Sequence, residues 1–120
     1  MNIQAIRGAI TCLNNSSEAM ELAVKELINE LIKRNMLNPE QIISVTFSVT
    51  KDLNACFPAA IARQQNGWEK IALIDCQQMY VEGDLPFCVR ILALANLSDD
   101  RSPQHTYLGE AVSLRPDRSV

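Results

Sequence analysis

The sequence predicts an α+β domain with α/β-like features, in which a mixed β-sheet carries its helices on one face. Apolar segments rich in β-branched residues recur along the chain, and segments with the periodicity of amphipathic helices separate them. The 120 residues fit a single domain, 1–120. The other face of the sheet is expected to be apolar. A chain this small is expected to cover such a face by closed homo-oligomerisation, with ligand sites between subunits.

A strand and a long helix are predicted first. Residues 3–12 alternate well enough for a strand, and residues 14–18 supply capping oxygens and an acid for a first helical turn. An apolar stripe opposite charged pairs four residues apart predicts that this helix is amphipathic and packs on the sheet. It is predicted to end near Asn35. The apolar positions are Met20, Ala23, Val24, Leu27, Ile28, Leu31 and Ile32.

Three shorter elements follow. Residues 38–41 are typical of a capped helical turn with proline at its first position. Residues 42–50 are rich in β-branched side chains and predict a strand. Phe57 and Pro58 open a short helix to about Gln65, and Asn66 and Gly67 tolerate the left-handed conformation that ends a helix.

A third and a fourth strand are predicted in the second half. Residues 68–76 place Ile71, Leu73 and Asp75 on one face of their strand. Residues 83–86 form a turn, and residues 87–97 form a long strand. Cys88, Arg90, Leu92 and Leu94 share a face of that strand.

The C-terminal part predicts less regular structure. Residues 105–108 are compatible with a short strand. Residues 114–120 are expected to form an extended tail, because proline disfavours helix at the residue before it.

Composition excludes several classes of partner. A formal net charge of −3, with scattered basic residues, gives no general attraction to nucleic acid. The N-terminus lacks the pattern of a signal peptide, and no apolar run approaches the roughly 20 residues that span a bilayer. We therefore expect a cytoplasmic protein without nucleic acid or membrane as partner. Of the four cysteines, Cys12, Cys56 and Cys88 lie in apolar surroundings, which favours reduced, buried thiols.

Two arginines lie inside otherwise apolar runs. Arg7 interrupts residues 5–10, and Arg90 interrupts residues 88–93. A guanidinium keeps its proton and is rarely buried without an anionic partner, so both are candidate anion contacts. The alternative is an arginine at a strand edge that reaches solvent or a surface carboxylate. Two such arginines favour recognition of a carboxylate or phosphate.

Motifs of covalent, metal and dinucleotide chemistry are absent. The sequence has no glycine-rich phosphate loop, no Gly-x-Ser-x-Gly elbow and only one histidine, His105. The arginines remain, together with Tyr107 and Asp75. This set suits binding a small polyanion and stabilising charge as it reacts.

Several motifs keep a consistent spacing along nearly the whole chain. They are Arg7-Gly8-Ala9, Ala55-Cys56-Phe57-Pro58-Ala59 followed by Arg63, Gly67-Trp68, Gln77 and Met79, Cys88-Val89-Arg90, Tyr107-Leu108 and residues 111–117. In this combination the chain resembles the monofunctional chorismate mutases of the trimeric pseudo-α/β-barrel class.

The resemblance implies a homotrimer with active sites between neighbouring subunits. It implies conversion of chorismate to prephenate, on the route to phenylalanine and tyrosine. This unimolecular Claisen rearrangement needs no cofactor, nucleophile or proton transfer. Its catalyst holds the enolpyruvyl arm over the ring and stabilises negative charge on the breaking ether oxygen.

The resemblance also implies roles for individual residues. Arg90 would donate to the ether oxygen, and Arg7 and Tyr107 would hold the side-chain carboxylate. The neighbouring subunit would wall the ring, and three further residues would close the open side. The walls are Phe57, Ala59, Leu73 and Ile74, and the closing residues are Arg63, Leu114 and Arg115. The alternatives are a buried tyrosine with a satisfied hydroxyl for Tyr107 and solvated surface charges for Arg63 and Arg115.

The chain departs from the family pattern at three positions. Ala60 stands where the family commonly has a lysine, and Asp75 and Gln78 stand where it has a cysteine and a glutamate. We predict that Asp75 supplies the negative charge that balances Arg90, because Gln78 carries none. The alternative is that Asp75 caps a turn at the surface.

Two other functions remain open at this point. One is a non-catalytic or regulatory trimer of the same fold that binds a small carboxylate, motivated by Gln78 and Ala60. The other is a trimeric barrel enzyme that acts on imine or enamine intermediates. Presence of Arg7, Arg90 and Tyr107 together favours the mutase, because a mere binder needs no donor at the ether oxygen.

Overall fold

A computed structural model describes residues 1–114 and contains a five-stranded mixed sheet, which confirms the predicted fold class. The strands are β1 (Ile3–Thr11), β2 (Ile42–Val49), β3 (Ala72–Gln77), β4 (Cys88–Asn96) and β5 (Thr106–Tyr107). The helices are α1 (Ser17–Asn35) and α2 (Pro58–Ala62), with 3₁₀ helices at Pro39–Gln41 and Gly109–Leu114.

The sheet order is β3-β2-β4-β1-β5. Strand β4 pairs antiparallel with both β1 and β2, whereas β2 with β3 and β1 with β5 pair parallel. The edges of the sheet are therefore β3 and the short β5. Helices α1 and α2 pack together on one face, and we call the other face the open face.

Helix α1 begins and ends as the sequence predicts. The Ser16 hydroxyl accepts a hydrogen bond from the Ala19 N–H at 3.1 Å, which caps the first turn. Met36 adopts a left-handed conformation after the last turn, with φ of 51°. The apolar stripe of α1 is buried against the sheet, and no described helix is long and apolar enough to cross a membrane.

Gly8 permits the close approach of β5 to β1. A Cβ atom at this position would lie 2.6 Å from the Thr106 carbonyl oxygen and 3.0 Å from Ile91 Cγ2. Any larger residue would separate the two strands. The glycine therefore fixes where Tyr107 lies on the sheet.

The third strand starts later than predicted. Residues 68–71 form turns, and β3 begins at Ala72. The Trp68 N–H donates to the Gln65 carbonyl, and the fully buried Trp68 side chain packs into the core rather than along a strand. Helix α2 also ends earlier than predicted, at Ala62, and turns continue the chain to Gly67, whose φ is 84°.

All four cysteines are free. Cys12 and Cys88 are buried as predicted, but Cys56 is only half-buried and Cys76 is exposed. Burial raises the pKa of the Cys12 thiol to about 11. Leu114 closes the last 3₁₀ helix, and the rest of the predicted tail lies outside the described residues.

Asn35 ties the end of α1 to the segment that leads into β5. Its side chain is 1% exposed. The amide nitrogen donates to the carbonyls of Leu31 and Gln104 at 2.8 and 3.0 Å, and its oxygen accepts from the Gln104 N–H at 2.7 Å. A polar residue is therefore required at the buried end of an apolar helix face.

We expect Asn35→Ala to destabilise the protein by at least about 2 kcal/mol, because each buried group left unsatisfied costs about 1–3 kcal/mol. Asn29→Ala is the control, since Asn29 lies exposed on the same helix and its side chain accepts a hydrogen bond from Gln65 Nε2. It should change stability by less than about 0.5 kcal/mol. Urea unfolding measures both variants, and equal costs would contradict this role.

Candidate functional site

A cleft of about 570 Å³ lies on the open face of the sheet. This volume is within the range of small-molecule sites. We call it the arginine cleft, and its lining residues are Arg7, Gly8, Thr46, Ser48, Gln78, Arg90, Ile91, Leu92, Tyr107 and Leu114. The structure thus brings together five of the residues that sequence analysis assigned to the site.

Strand register explains why the two arginines share this cleft. Arg7 pairs with Leu92 and Ala9 pairs with Arg90, so both guanidiniums project from the same face of β1 and β4. Ser48 pairs with Arg90 from the other side and adds a hydroxyl on that face. Ile91 and the other alternate residues of β4 are buried against the helices.

Arg90 is largely buried and has an acidic neighbour. Its side chain is 27% exposed, and its Nη2 atom lies 3.4 Å from the nearer carboxylate oxygen of Asp84. Its Nε atom is buried and has no hydrogen-bond partner within residues 1–114. The adjacent Cys88 thiol is fully buried, and burial raises its pKa although the Arg90 charge opposes the shift.

Arg7 is more open to solvent than Arg90. Its backbone N–H donates to His105 Nδ1 at 2.9 Å, which fixes β1 beside the segment that enters β5. Within the described part of the chain, no acidic side chain forms an ion pair with the Arg7 guanidinium. Its charge is therefore available to an anion in the cleft.

Tyr107 and Leu114 form one wall of the cleft. Tyr107 is 4% exposed and packs with Ala9, Cys88 and Ala111 in a small apolar cluster, against which Leu114 also packs. Parallel pairing of Ala9 with Tyr107 sets the position of the ring. Arg115, which the sequence assigned to the same side, lies outside the described residues.

Gln78 lies in the cleft with a fixed side chain. Its Oε1 atom accepts a hydrogen bond from the Ser48 hydroxyl at 2.8 Å, and the backbone N–H of Gln78 donates to the Val49 carbonyl at the same distance. The amide therefore offers its NH₂ group to the cleft but brings no charge.

The remaining predicted site residues lie at the β3 edge of the sheet. Phe57 is 70% exposed at the start of α2, Ala59 is buried in its first turn, and Arg63 follows the helix. On β3, Leu73 packs toward the helices while Ile74 projects from the open face and is 58% exposed. None of these residues lines the arginine cleft of its own chain.

Asp75 does not share the cleft with Arg90 in one chain, contrary to the simplest form of our prediction. It pairs with Phe47, so its side chain points to the helix face of the sheet. Its Oδ1 atom accepts from the Ala59 N–H at 2.9 Å. Burial raises the pKa of the Asp75 carboxyl, while that hydrogen bond and the Arg63 charge oppose the shift. Asp75 thus holds the first turn of α2, close to the capping role of our alternative.

Comparisons with known proteins identify the family. Residues 3–118 match the family described as chorismate mutase type I. The chain belongs to this family. It is 39% identical to the chorismate mutase AroH of Thermus thermophilus over 117 residues, covering 96% of this chain and 95% of the relative. It is 34% identical to AroH of Bacillus subtilis strain 168, covering 100% and 95% respectively.

A solved structure agrees with these sequences. The chorismate mutase from Clostridium thermocellum superposes with a TM-score of 0.84 at 35% identity, covering 92% of this chain and 98% of the other. The predicted family is therefore confirmed over almost the whole chain.

Sequence analysis missed three polar residues of the cleft region, Thr46, Ser48 and Asp84. The local pattern of Ser48 indicates only a strand, whereas its position opposite Arg90 places a hydroxyl on the same face. The local pattern of Asp84 indicates only a turn residue, and its contact with Arg90 joins positions that no local pattern relates. The sequence does contain a signal for the Asp84–Arg90 contact: an acid lies in a loop just before an apolar strand that carries an arginine.

We expect Asp75→Asn to be at least as stable as the wild type at neutral pH. The amide keeps an oxygen for the Ala59 N–H and removes a carboxylate whose pKa is raised in the folded state. Because the pKa of Asp75 is higher in the folded than in the unfolded state, protonation of Asp75 stabilises the folded wild type. This stabilisation is complete below the unfolded-state pKa, and it is lost as the pH rises through the folded-state pKa. Stability of the wild type relative to Asp75→Asn should therefore fall as the pH rises from acidic to neutral.

Urea unfolding across that pH range measures the difference. Asp75→Ala also loses the hydrogen bond to α2, so it should be about 1 kcal/mol less stable than Asp75→Asn at any pH. Asp99→Asn, at an exposed loop position, is the charge-matched control. A wild type that gained stability over Asp75→Asn with rising pH would contradict the assignment.

Proposed function

We propose that the arginine cleft is where this chain converts chorismate to prephenate, as an isomerase of phenylalanine and tyrosine biosynthesis. The observation that carries the proposal is the pair Arg7 and Arg90, which project from one sheet face into a single cleft in a chain of the chorismate mutase family. A substrate with two carboxylates suits a cleft with two guanidiniums.

The rearrangement requires that the substrate's conformation be restrained and that the negative charge developing on its ether oxygen be stabilised. In the rearrangement one carbon–oxygen bond breaks as one carbon–carbon bond forms, and negative charge grows on the ether oxygen. Arg90 would donate to that oxygen, because it stays protonated and its surroundings are largely buried. Arg7 and Tyr107 would hold the side-chain carboxylate. Leu114 and Arg115 would cover the open side.

The β3 edge would complete the site of a neighbouring subunit. We propose a homotrimer in which Phe57, Arg63 and Ile74 reach the arginine cleft of the next copy. Ala59 and Leu73 pack in the chain's own core and would support that edge instead of forming the predicted walls. The exposure of the Phe57 and Ile74 side chains supports this, as does their absence from the cleft of their own chain. Leu92 and Leu94, 44% and 39% exposed on the open face, give that face apolar surface for burial between subunits.

The non-catalytic alternative is less well supported. A carboxylate binder needs cations at the surface, but it does not need a largely buried guanidinium at the centre of the sheet. The named relatives are chorismate mutases, which also favours an enzyme. We further propose a cytoplasmic location, because four free thiols suit a reducing compartment.

We expect Arg90→Lys to lower kcat by about 10²–10³-fold, the usual cost of removing one preorganised donor. Lysine keeps the charge but loses the planar fork of donors. Loss of the ultraviolet absorbance of chorismate measures turnover. Arg34→Lys is the control, because Arg34 pairs with Glu30 on α1, away from the cleft. A wild type without turnover would refute the proposed function, and an Arg90→Lys variant within a few-fold of wild type would refute the role of Arg90.

A further inference from the structure

Asp84 lies beside the guanidinium on which the proposed reaction depends. Its two carboxylate oxygens are 3.4 and 3.5 Å from Arg90 Nη2, so both oxygens face one nitrogen. The Asp84 and Arg90 side chains are only 24% and 27% exposed. An ion pair this shielded from water is stronger than a surface pair.

The loop holds the Asp84 carboxylate in place. The Asp84 N–H donates to the Val81 carbonyl across a tight turn, in which Gly83 has a φ of 83°. The Asp84 Oδ1 atom accepts from the Leu85 N–H at 2.8 Å, and Leu85 packs against the apolar cluster that contains Tyr107. The carboxylate is thus positioned by the backbone before any ligand arrives.

Within one chain, neither Asp75 nor Gln78 supplies a negative charge beside Arg90. Asp75 points to the opposite face of the sheet, and Gln78 is neutral. Among residues 1–114, Asp84 is the acid that forms an ion pair with Arg90. Asp84 contacts the Nη2 atom of Arg90, so this acid does not engage the other N–H donors of the guanidinium.

We propose that Asp84 is the positioning residue for Arg90: it anchors Nη2 so that the remaining donors of the guanidinium face the reacting ether oxygen. This inference rests on the proposed function of the cleft. Anchoring the long Arg90 side chain at one nitrogen restricts its conformations before the reaction. Less conformational entropy is then lost when the transition state forms. The anchor has a cost, because a carboxylate beside the cleft repels an anionic substrate.

These two effects give a kinetic signature. Asp84→Asn keeps an oxygen for the Leu85 N–H and removes only the charge. We expect kcat to fall between about tenfold and a hundredfold, the range that misplacement of a reacting group produces. KM should stay level or fall, because repulsion of the substrate is relieved. Asp84→Glu should retain more kcat than Asp84→Asn. Glu82→Gln, an exposed acid of the same loop, is the charge-matched control and should behave like wild type.

A second measurement does not depend on turnover. In protein made with isotope-labelled arginine, an ion pair slows rotation of the Arg90 guanidinium and separates its two Nη resonances. Arg90→Lys assigns them by their disappearance. We expect the pair to merge in Asp84→Asn and to stay separate in Glu82→Gln.

The outcomes separate the two proposals. Merged Nη resonances already in the wild type would overturn the anchoring role, whether or not the protein converts chorismate. A kcat of Asp84→Asn within twofold of wild type, or a fall in kcat with a rise in KM, would overturn it as well. A wild type without turnover but with Asp84-dependent resonances would refute the proposed function and leave the anchor in place.

Discussion

The charge of Arg90 is the constraint on which the rest of the account depends. A guanidinium cannot be neutralised by losing its proton, and this one is three-quarters buried on the central strand of the sheet. It therefore needs anions, and the fold supplies Asp84 on one side and an open cleft on the other. Gly8, β5 and Asn35 matter to the site because they set the wall of that cleft.

The order of the strands separates the site residues into two groups. Arg7, Arg90 and Tyr107 surround the cleft, whereas Phe57 and Asp75 belong to the β3 edge. Strand β2 lies between β3 and the central β4, so one chain cannot bring the groups together without rearranging its sheet. The proposed assembly of several copies would join them with no change in the fold, which agrees with the small size of the chain and its exposed apolar residues.

Much of this fold was predictable from local sequence. The Ser16 cap, the apolar stripe of α1 and the β-branched run of β2 act over a few residues, and their elements lie where predicted. Alternation also placed Leu73 and Asp75 on one face of β3, but it does not tell which face the helices cover. That choice depends on packing of distant segments, as does the Asp84 contact with Arg90. Burial of Trp68 in a turn likewise follows from tertiary packing rather than strand propensity.

The central claim, that each site needs two subunits, is tested most directly by hybrid trimers. Arg90→Ala removes the donor in the cleft, and Phe57→Asp puts a negative charge at the exposed position proposed to face a neighbour's substrate. Co-expressing the two variants with different tags, and purifying on both tags, isolates mixed trimers. Every mixed trimer then contains one intact site, so chorismate turnover should reach about one third of the wild-type value although each parent is inactive. Mixed trimers as inactive as their parents would contradict the shared site.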